Sequence, residues 1–196
     1  MFPDNTREDS KKFQANFETI YLAHYAGMVR FAKEYVLSKE EAENIVHDAF
    51  TDIWKVQQGG LTDPNYMLAF LFTSIKNRCI DYLRHQIIVR KAETAMQEEF
   101  RLSMQMKFDS LEDFDQTVLA SEKSIEDLIH KAIESLPEKC REIFIKSKLE
   151  GMKQSQIAEE LNISIHTVET QMGIAYKKLR QELKDYLPLL LFLLSL

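Results

Sequence analysis

Apolar residues in the first 37 positions return at steps of three and four. Phe13, Phe17, Ile20, Tyr21, His24, Met28, Phe31, Ala32 and Tyr35 share one stripe. That spacing predicts an amphipathic helix over residues 10–37, broken near Tyr25. Ser38 with Glu41 three residues later reads as a capping box and opens a second helix, running to Val56. Its inward face is Ala42, Ile45, Val46, Ala49, Phe50, Ile53 and Trp54. Gly59, Gly60 and the Asp63-Pro64 pair mark a loop. A third helix follows over residues 65–88. Leu68, Leu71, Phe72, Ile75, Cys79 and Tyr82 face inward, while Thr73, Lys76, Asn77, Asp81 and Arg84 take the other side.

Past residue 88 the periodicity fades. Lys91, Arg101, Lys107 and Lys123 stand against Glu93, Glu98, Glu99, Asp109, Glu112, Asp113, Asp115 and Glu122. Weak patterning and negative charge predict an acidic linker over residues 89–123, partly helical at its start. Regular patterning resumes at Ser124, which caps a helix that Pro137 ends. The next helix, over residues 138–149, carries Cys140, Ile143 and Phe144, and Gly151 is its C-terminal cap.

Residues 154–161 and the stretch from Ile165 to about Tyr186 form two further helices joined by Asn162-Ile163-Ser164, a helix-turn-helix pattern. Small Ala158 lets the second helix cross closely. Asn162 tolerates the left-handed backbone of a sharp turn, and Ser164 is a sound N-cap. Val168, Met172, Ala175 and Leu179 hold the second helix to the core. His166, Glu169, Thr170, Gly173 and Lys177, on the opposite stripe, are then candidates for groove contact, with Lys177, Lys178 and Arg180 for phosphates. Residues 187–196 are an apolar tail about half as long as the ~20 residues a membrane span needs. It is expected to extend the last helix and pack on its own domain; the other reading docks it between domains and holds them closed.

Composition narrows the class. Five Gly and four Pro in 196 residues lie below the usual ~7% and ~5%, which favours long helices over turn-rich sheets. A net charge of −6 excludes coating nucleic acid by bulk charge, so DNA binding must come from a local face or with a partner. The two cysteines, Cys79 and Cys140, read as reduced core thiols. The first residues lack an apolar leader, which suggests a cytoplasmic protein. No metal-ligand spacing, nucleophile set or phosphate-binding glycine loop is visible. No catalysis, metal, cofactor or small-molecule substrate is therefore expected.

The stretch FLFTSIKNRCIDYLRHQ at 70–86 interleaves aromatic residues with Lys76, Arg78, Arg84 and His85. Cations that grip a strand beside aromatics that stack on bases are the means of single-strand binding. Periodicity assigns Phe72 and Tyr82 to the core instead.

These stretches carry a resemblance that covers nearly the whole chain. EAENIVHDAFTDIWK at 41–55 resembles the segment by which bacterial RNA polymerase sigma factors of the extracytoplasmic-function (ECF) group, in the sigma-70 family, dock on polymerase. KNRCIDYLRH at 76–85 resembles their segment that opens and reads the minus-ten promoter element. LPEKCREIFIKSKLEGMKQSQIAEELNISIHTVE at 136–169 resembles their domain for the minus-thirty-five element.

The resemblance implies an all-α fold of two small helical domains joined by a linker, the C-terminal one containing the helix-turn-helix. Residues 10–88 would be sigma domain two, 89–123 the linker, 124–186 sigma domain four and 187–196 the tail. It implies polymerase contacts at Glu43, Asp48 and Asp52, and minus-ten contacts at Lys76, Asn77, Asp81 and Arg84. Minus-thirty-five contacts fall at His166, Thr167, Glu169, Thr170, Gly173, Lys177 and Lys178. The implied partners are core RNA polymerase, promoter DNA and an anti-sigma factor. The acidic linker would thread near polymerase channels and imitate nucleic acid, or be a solvated tether. Two other classes fit parts of the pattern: a conventional helix-turn-helix regulator and a helical protein-interaction adaptor.

Overall fold

The stripe over residues 10–37 forms one continuous helix, α1 (Asn5–Lys33), in the computed structural model, which describes residues 5–56, 63–91, 98–121 and 123–196. No break occurs at Tyr25. Phe13, Ile20, Met28, Phe31 and Ala32 are buried on one apolar face that runs through that position. In α2 (Lys39–Lys55) the Ser38 hydroxyl accepts the Glu41 amide at 3.1 Å, and Glu40 and Glu41 sit in the first turn, where the helix dipole favours anions. Trp54 departs from expectation. It is 43% exposed and packs its ring on Phe17 at the rim of α1 and α2, with centroids 4.9 Å apart. The glycine loop expected at Gly59 and Gly60 lies outside the described residues.

Helix α3 (Pro64–Lys91) begins with a proline, whose missing N–H would have no partner in the first turn. The Asp63 carboxylate accepts the Asn65 amide at 2.7 Å. Met67, Leu68, Leu71, Phe72, Ile75, Cys79 and Leu83 are buried along α3. The stretch read as a linker is mostly the 24-residue helix α4 (Glu98–Ser121), laid along α3. Met104, Leu111 and Phe114 are buried, at spacings of seven and three that make a narrow helical stripe. Phe114 meets Phe72 edge to face at 5.2 Å. The expectation of a tether helical only at its start is therefore corrected: α4 is part of the core.

The C-terminal half follows the sequence closely. In α5 (Ile125–Glu134) Ser124 and Asp127 form a reciprocal capping box. α6 (Glu138–Lys148) follows Pro137, and Gly151 lies beyond it at φ +67°. α7 (Gln154–Glu160) and α8 (Ile165–Glu182) meet across a turn in which Asn162 has φ +51°, the left-handed conformation expected of it.

The tail forms a separate helix, α9 (Leu187–Ser195), and does not prolong α8 on its own domain. It packs on α1 and α4 as well as α8. Phe192 is fully buried, its ring 5.5 Å from Phe31 and 5.3 Å from Phe72. Each such Leu or Phe contributes about 1.5–3 kcal/mol of burial. The tail's apolar residues thus join one continuous core with both halves of the chain.

Candidate nucleic-acid and docking interfaces

Three solvent-facing surfaces carry the residues singled out in the sequence. On α2, Asp48 and Asp52 point toward α3, where Arg78 joins them. Its guanidinium donates to Asp48 Oδ2 at 3.1 Å and to Asp52 Oδ2 at 2.5 Å. The Arg78 hydrogen bond holds the Asp52 carboxyl below the usual carboxylate range, against the opposing effect of burial. Lys55 adds a second cation 3.4 Å from Asp52, and Glu43 pairs with Lys39 at 3.1 Å. Surface pairs of this kind exchange partners at little cost, so the three carboxylates stay available to an incoming cation.

Beside them lies a feature that the sequence reading passed over. Phe17, Tyr21, His47, Phe50, Thr51 and Trp54 line an open apolar groove of about 320 Å³ between α1 and α2. Its signal in the sequence was Trp54 itself, which lies at the edge of the α2 stripe next to polar positions 47 and 51.

On α3, Asn77, Asp81 and Arg84 share an exposed face, as expected. Lys76 does not join them. It is 2% exposed and its ammonium donates to both carboxylate oxygens of Asp115 on α4, at 2.6 and 2.7 Å. Lys76 therefore anchors α4 here and is covered as long as α4 lies on α3, which buries its stem. Arg84 donates to Asp81 at 3.0 Å, lies 3.7 Å from Glu112, and stacks over Phe108 at 5.8 Å. Asn77, Ile80, Asp81 and Arg84 thus form one wall of a polar depression of about 310 Å³, and Glu112 and Asp115 of α4 form the other. The donors and acceptors fixed on the α3 wall, Asn77, Asp81 and Arg84, suit the edges of an unstacked base.

The α7–α8 pair makes the third surface. Ile157, Ala158, Val168, Met172, Ala175 and Leu179 are buried, which fixes the crossing. The Ser164 hydroxyl accepts the Thr167 amide at 3.0 Å and shares a 2.8 Å bond with the Thr167 hydroxyl. Thr167 is thus half-buried and engaged in the cap, unlike the free groove contact expected of it. His166, Glu169, Thr170, Gly173, Lys177 and Lys178 are exposed. A side chain at Gly173 would meet nothing within 4 Å, so this face is flat and open. The Thr170 hydroxyl donates back to the His166 carbonyl at 2.9 Å, leaving its lone pairs outward.

Comparison with known proteins agrees with this layout. The family model for sigma-70 region 2 matches residues 20–86, and that for sigma-70 region 4 matches residues 126–179, together more than half of the chain. The chain is similar to the ferric citrate uptake sigma factor FecI of Escherichia coli (strain K12), at 26% identity over 160 residues, covering 81% of this chain and 86% of that one. It is also similar to the RNA polymerase sigma factor SigV of Bacillus subtilis (strain 168), at 24% identity over 160 residues, covering 82% and 86%. Among the described residues no helix is long and apolar enough to cross a membrane.

Proposed function

We propose, for a chain that belongs to the sigma-70 family and to its extracytoplasmic-function group, how its surfaces divide the work of an alternative sigma factor. The protein binds core RNA polymerase and directs promoter recognition and opening for transcription initiation. The α2 face with Glu43, Asp48 and Asp52 meets polymerase, beside the aromatic groove. The α3 face with Asn77, Asp81 and Arg84 takes the opened minus-ten strand. His166, Glu169, Thr170 and Gly173 of α8 face the minus-thirty-five groove, with Lys177 and Lys178 on phosphates. Residues 10–88 and 124–186 then act as the two recognition domains, with residues 89–123 between them. Bond making belongs to polymerase, and the protein works beside it in the cytoplasm. An anti-sigma factor is a further partner, covering these faces until they are needed.

The observation that carries the assignment is the spread of chemistry over three exposed faces in family order: carboxylates, then the polar α3 face of Asn77, Asp81 and Arg84, then an open helix with lysines at its far end. A net charge of −6 fits a factor that grips DNA only in company.

Run-off transcription with core polymerase tests it. The wild-type chain should support initiation on a responsive promoter. Asp48→Asn with Asp52→Asn should weaken co-purification with core enzyme about tenfold or more, with helicity unchanged. Wild-type co-purification by that variant would move the docking face elsewhere. Duplex binding without polymerase would favour a conventional regulator.

A further inference from the structure

We propose that the apolar helix α9 is an intramolecular latch, holding the free chain closed so that core polymerase must displace it before both promoter elements can be read. This rests on the division of work above.

The latch is built from both sides. Leu189 and Phe192 are fully buried, Phe192 against Phe31 of α1 and Phe72 of α3, and the Arg30 guanidinium of α1 donates to the Ser195 carbonyl at 3.0 Å, closing the end of α9. Gly27 of α1 is where the two backbones approach. A Cβ there would collide with the Ser195 carbonyl oxygen, with the Ser195 carbonyl carbon at 3.0 Å and Leu196 Cα at 3.3 Å. Glycine in the middle of a helix weakens it, so this one makes room for the tail. A second contact joins the same helix to the helix-turn-helix half. Gly151, in its left-handed conformation, lies so close to Ala23 that a Cβ would stand 2.8 Å from the Ala23 Cβ.

Closure has a consequence for DNA. The two promoter elements, by their names, are about 25 base pairs apart, roughly 85 Å of duplex at ~3.4 Å per pair. A compact chain of 196 residues has a radius of gyration of about 16 Å and is about 40 Å across. The closed chain cannot reach both. The reach must come from residues 89–123, and α4 supplies it only by leaving α3. In the closed state α4 also sets Asp115 on Lys76 and Glu112 near Arg84, so its carboxylates occupy the cations of the minus-ten face. Phe114 ties α4 to Phe72 on one side and to Tyr186, at the start of α9, on the other, at 5.2 and 6.3 Å. Releasing α9 therefore loosens α4, and releasing α4 uncovers Lys76 and Arg84.

The test uses the full chain, Gly27→Ala and a chain ending at Asp185. Gly27→Ala favours the α1 helix while colliding with the tail backbone at Ser195, so it evicts the latch without removing core atoms. Hydrogen exchange of α4 amides and titration against core polymerase are the readouts, with run-off at saturating polymerase as the control. The latch requires both variants to exchange faster in α4 and to bind polymerase about fivefold or more tighter, since the competent state is no longer scarce. A folded Gly27→Ala chain with wild-type exchange and affinity overturns the latch, whatever the truncated chain does. If the truncated chain loses helicity, Gly27→Ala alone decides. Absence of run-off from all three chains, with the affinity change intact, would instead overturn the functional reading and leave the latch standing.

Discussion

Replacing Asp115 by asparagine removes the negative charge that holds the buried Lys76 ammonium. The Lys76 side chain is 2% exposed while that of Asp115 is 43% exposed, and the ion pair spans 2.6 Å. Removing one partner of a fully buried pair typically costs about 3–5 kcal/mol, because the remaining charge is stranded. Water reaches the Asp115 side here, so the expected loss falls to about 1.5–3 kcal/mol. Urea unfolding, followed by circular dichroism, should then show the midpoint drop by about 1 M, at a slope of about 2 kcal/mol/M. Lys76→Met keeps the stem and discards the charge, and should stay within about 1 kcal/mol of wild type. The decisive measurement is the double variant. With no charge left to strand, it should recover most of the loss seen in Asp115→Asn, a coupling of at least about 1 kcal/mol. Simple addition of the two effects, or a midpoint shift below about 0.25 M in Asp115→Asn, would refute an α4 anchored through this pair.

Three further outcomes follow from the geometry. Asn77→Ala or Asp81→Ala should reduce permanganate reactivity of promoter thymines about tenfold while polymerase affinity stays near wild type, since α3 groups that read an unstacked base act after docking. His24 is buried, and burial lowers its pKa from 6.5, against backbone hydrogen bonds to Leu196 and Lys148 that raise it and with the charge of Lys148 on α6 adding to the lowering. The folded chain therefore binds fewer protons than the unfolded one: stability is full above pH ~6.5 and is lost as pH falls toward the folded value. Thermal melts at pH 7.5 and 5.5 should show that loss, and His24→Phe should reduce it. Gly173→Ala fills open space in the middle of α8 and should stabilise the chain by about 0.5–1 kcal/mol in urea, with α8 helicity unchanged or higher.

What the sequence determined by itself is everything governed by neighbours within about four residues. The α2 cap at Ser38, the α5 capping box, the left-handed Asn162 and the α7–α8 pair all arise from local hydrogen bonds and helical spacing, and each was legible residue by residue. Most of the candidate site was legible for the same reason, since exposed positions on a firm helix stay exposed: Asp48, Asn77, Asp81, His166 and Glu169 lie where the stripes put them. The tertiary structure decided the rest through pairings across long stretches of chain. Lys76 looked like a surface cation until α4, 39 residues on, brought Asp115 to it and buried its stem. The acidic run in α4 looked solvated because its apolar stripe is narrow and has meaning only against Phe72. Trp54 shared the α2 stripe yet stands at the rim, because α1 ends the core there. The tail was plainly apolar in the sequence, but the face that buries it is made by α1, α3 and α4 together. No local pattern encodes where such a face will be, because hydrophobic burial has no direction of its own and takes whichever surface the rest of the fold leaves uncovered.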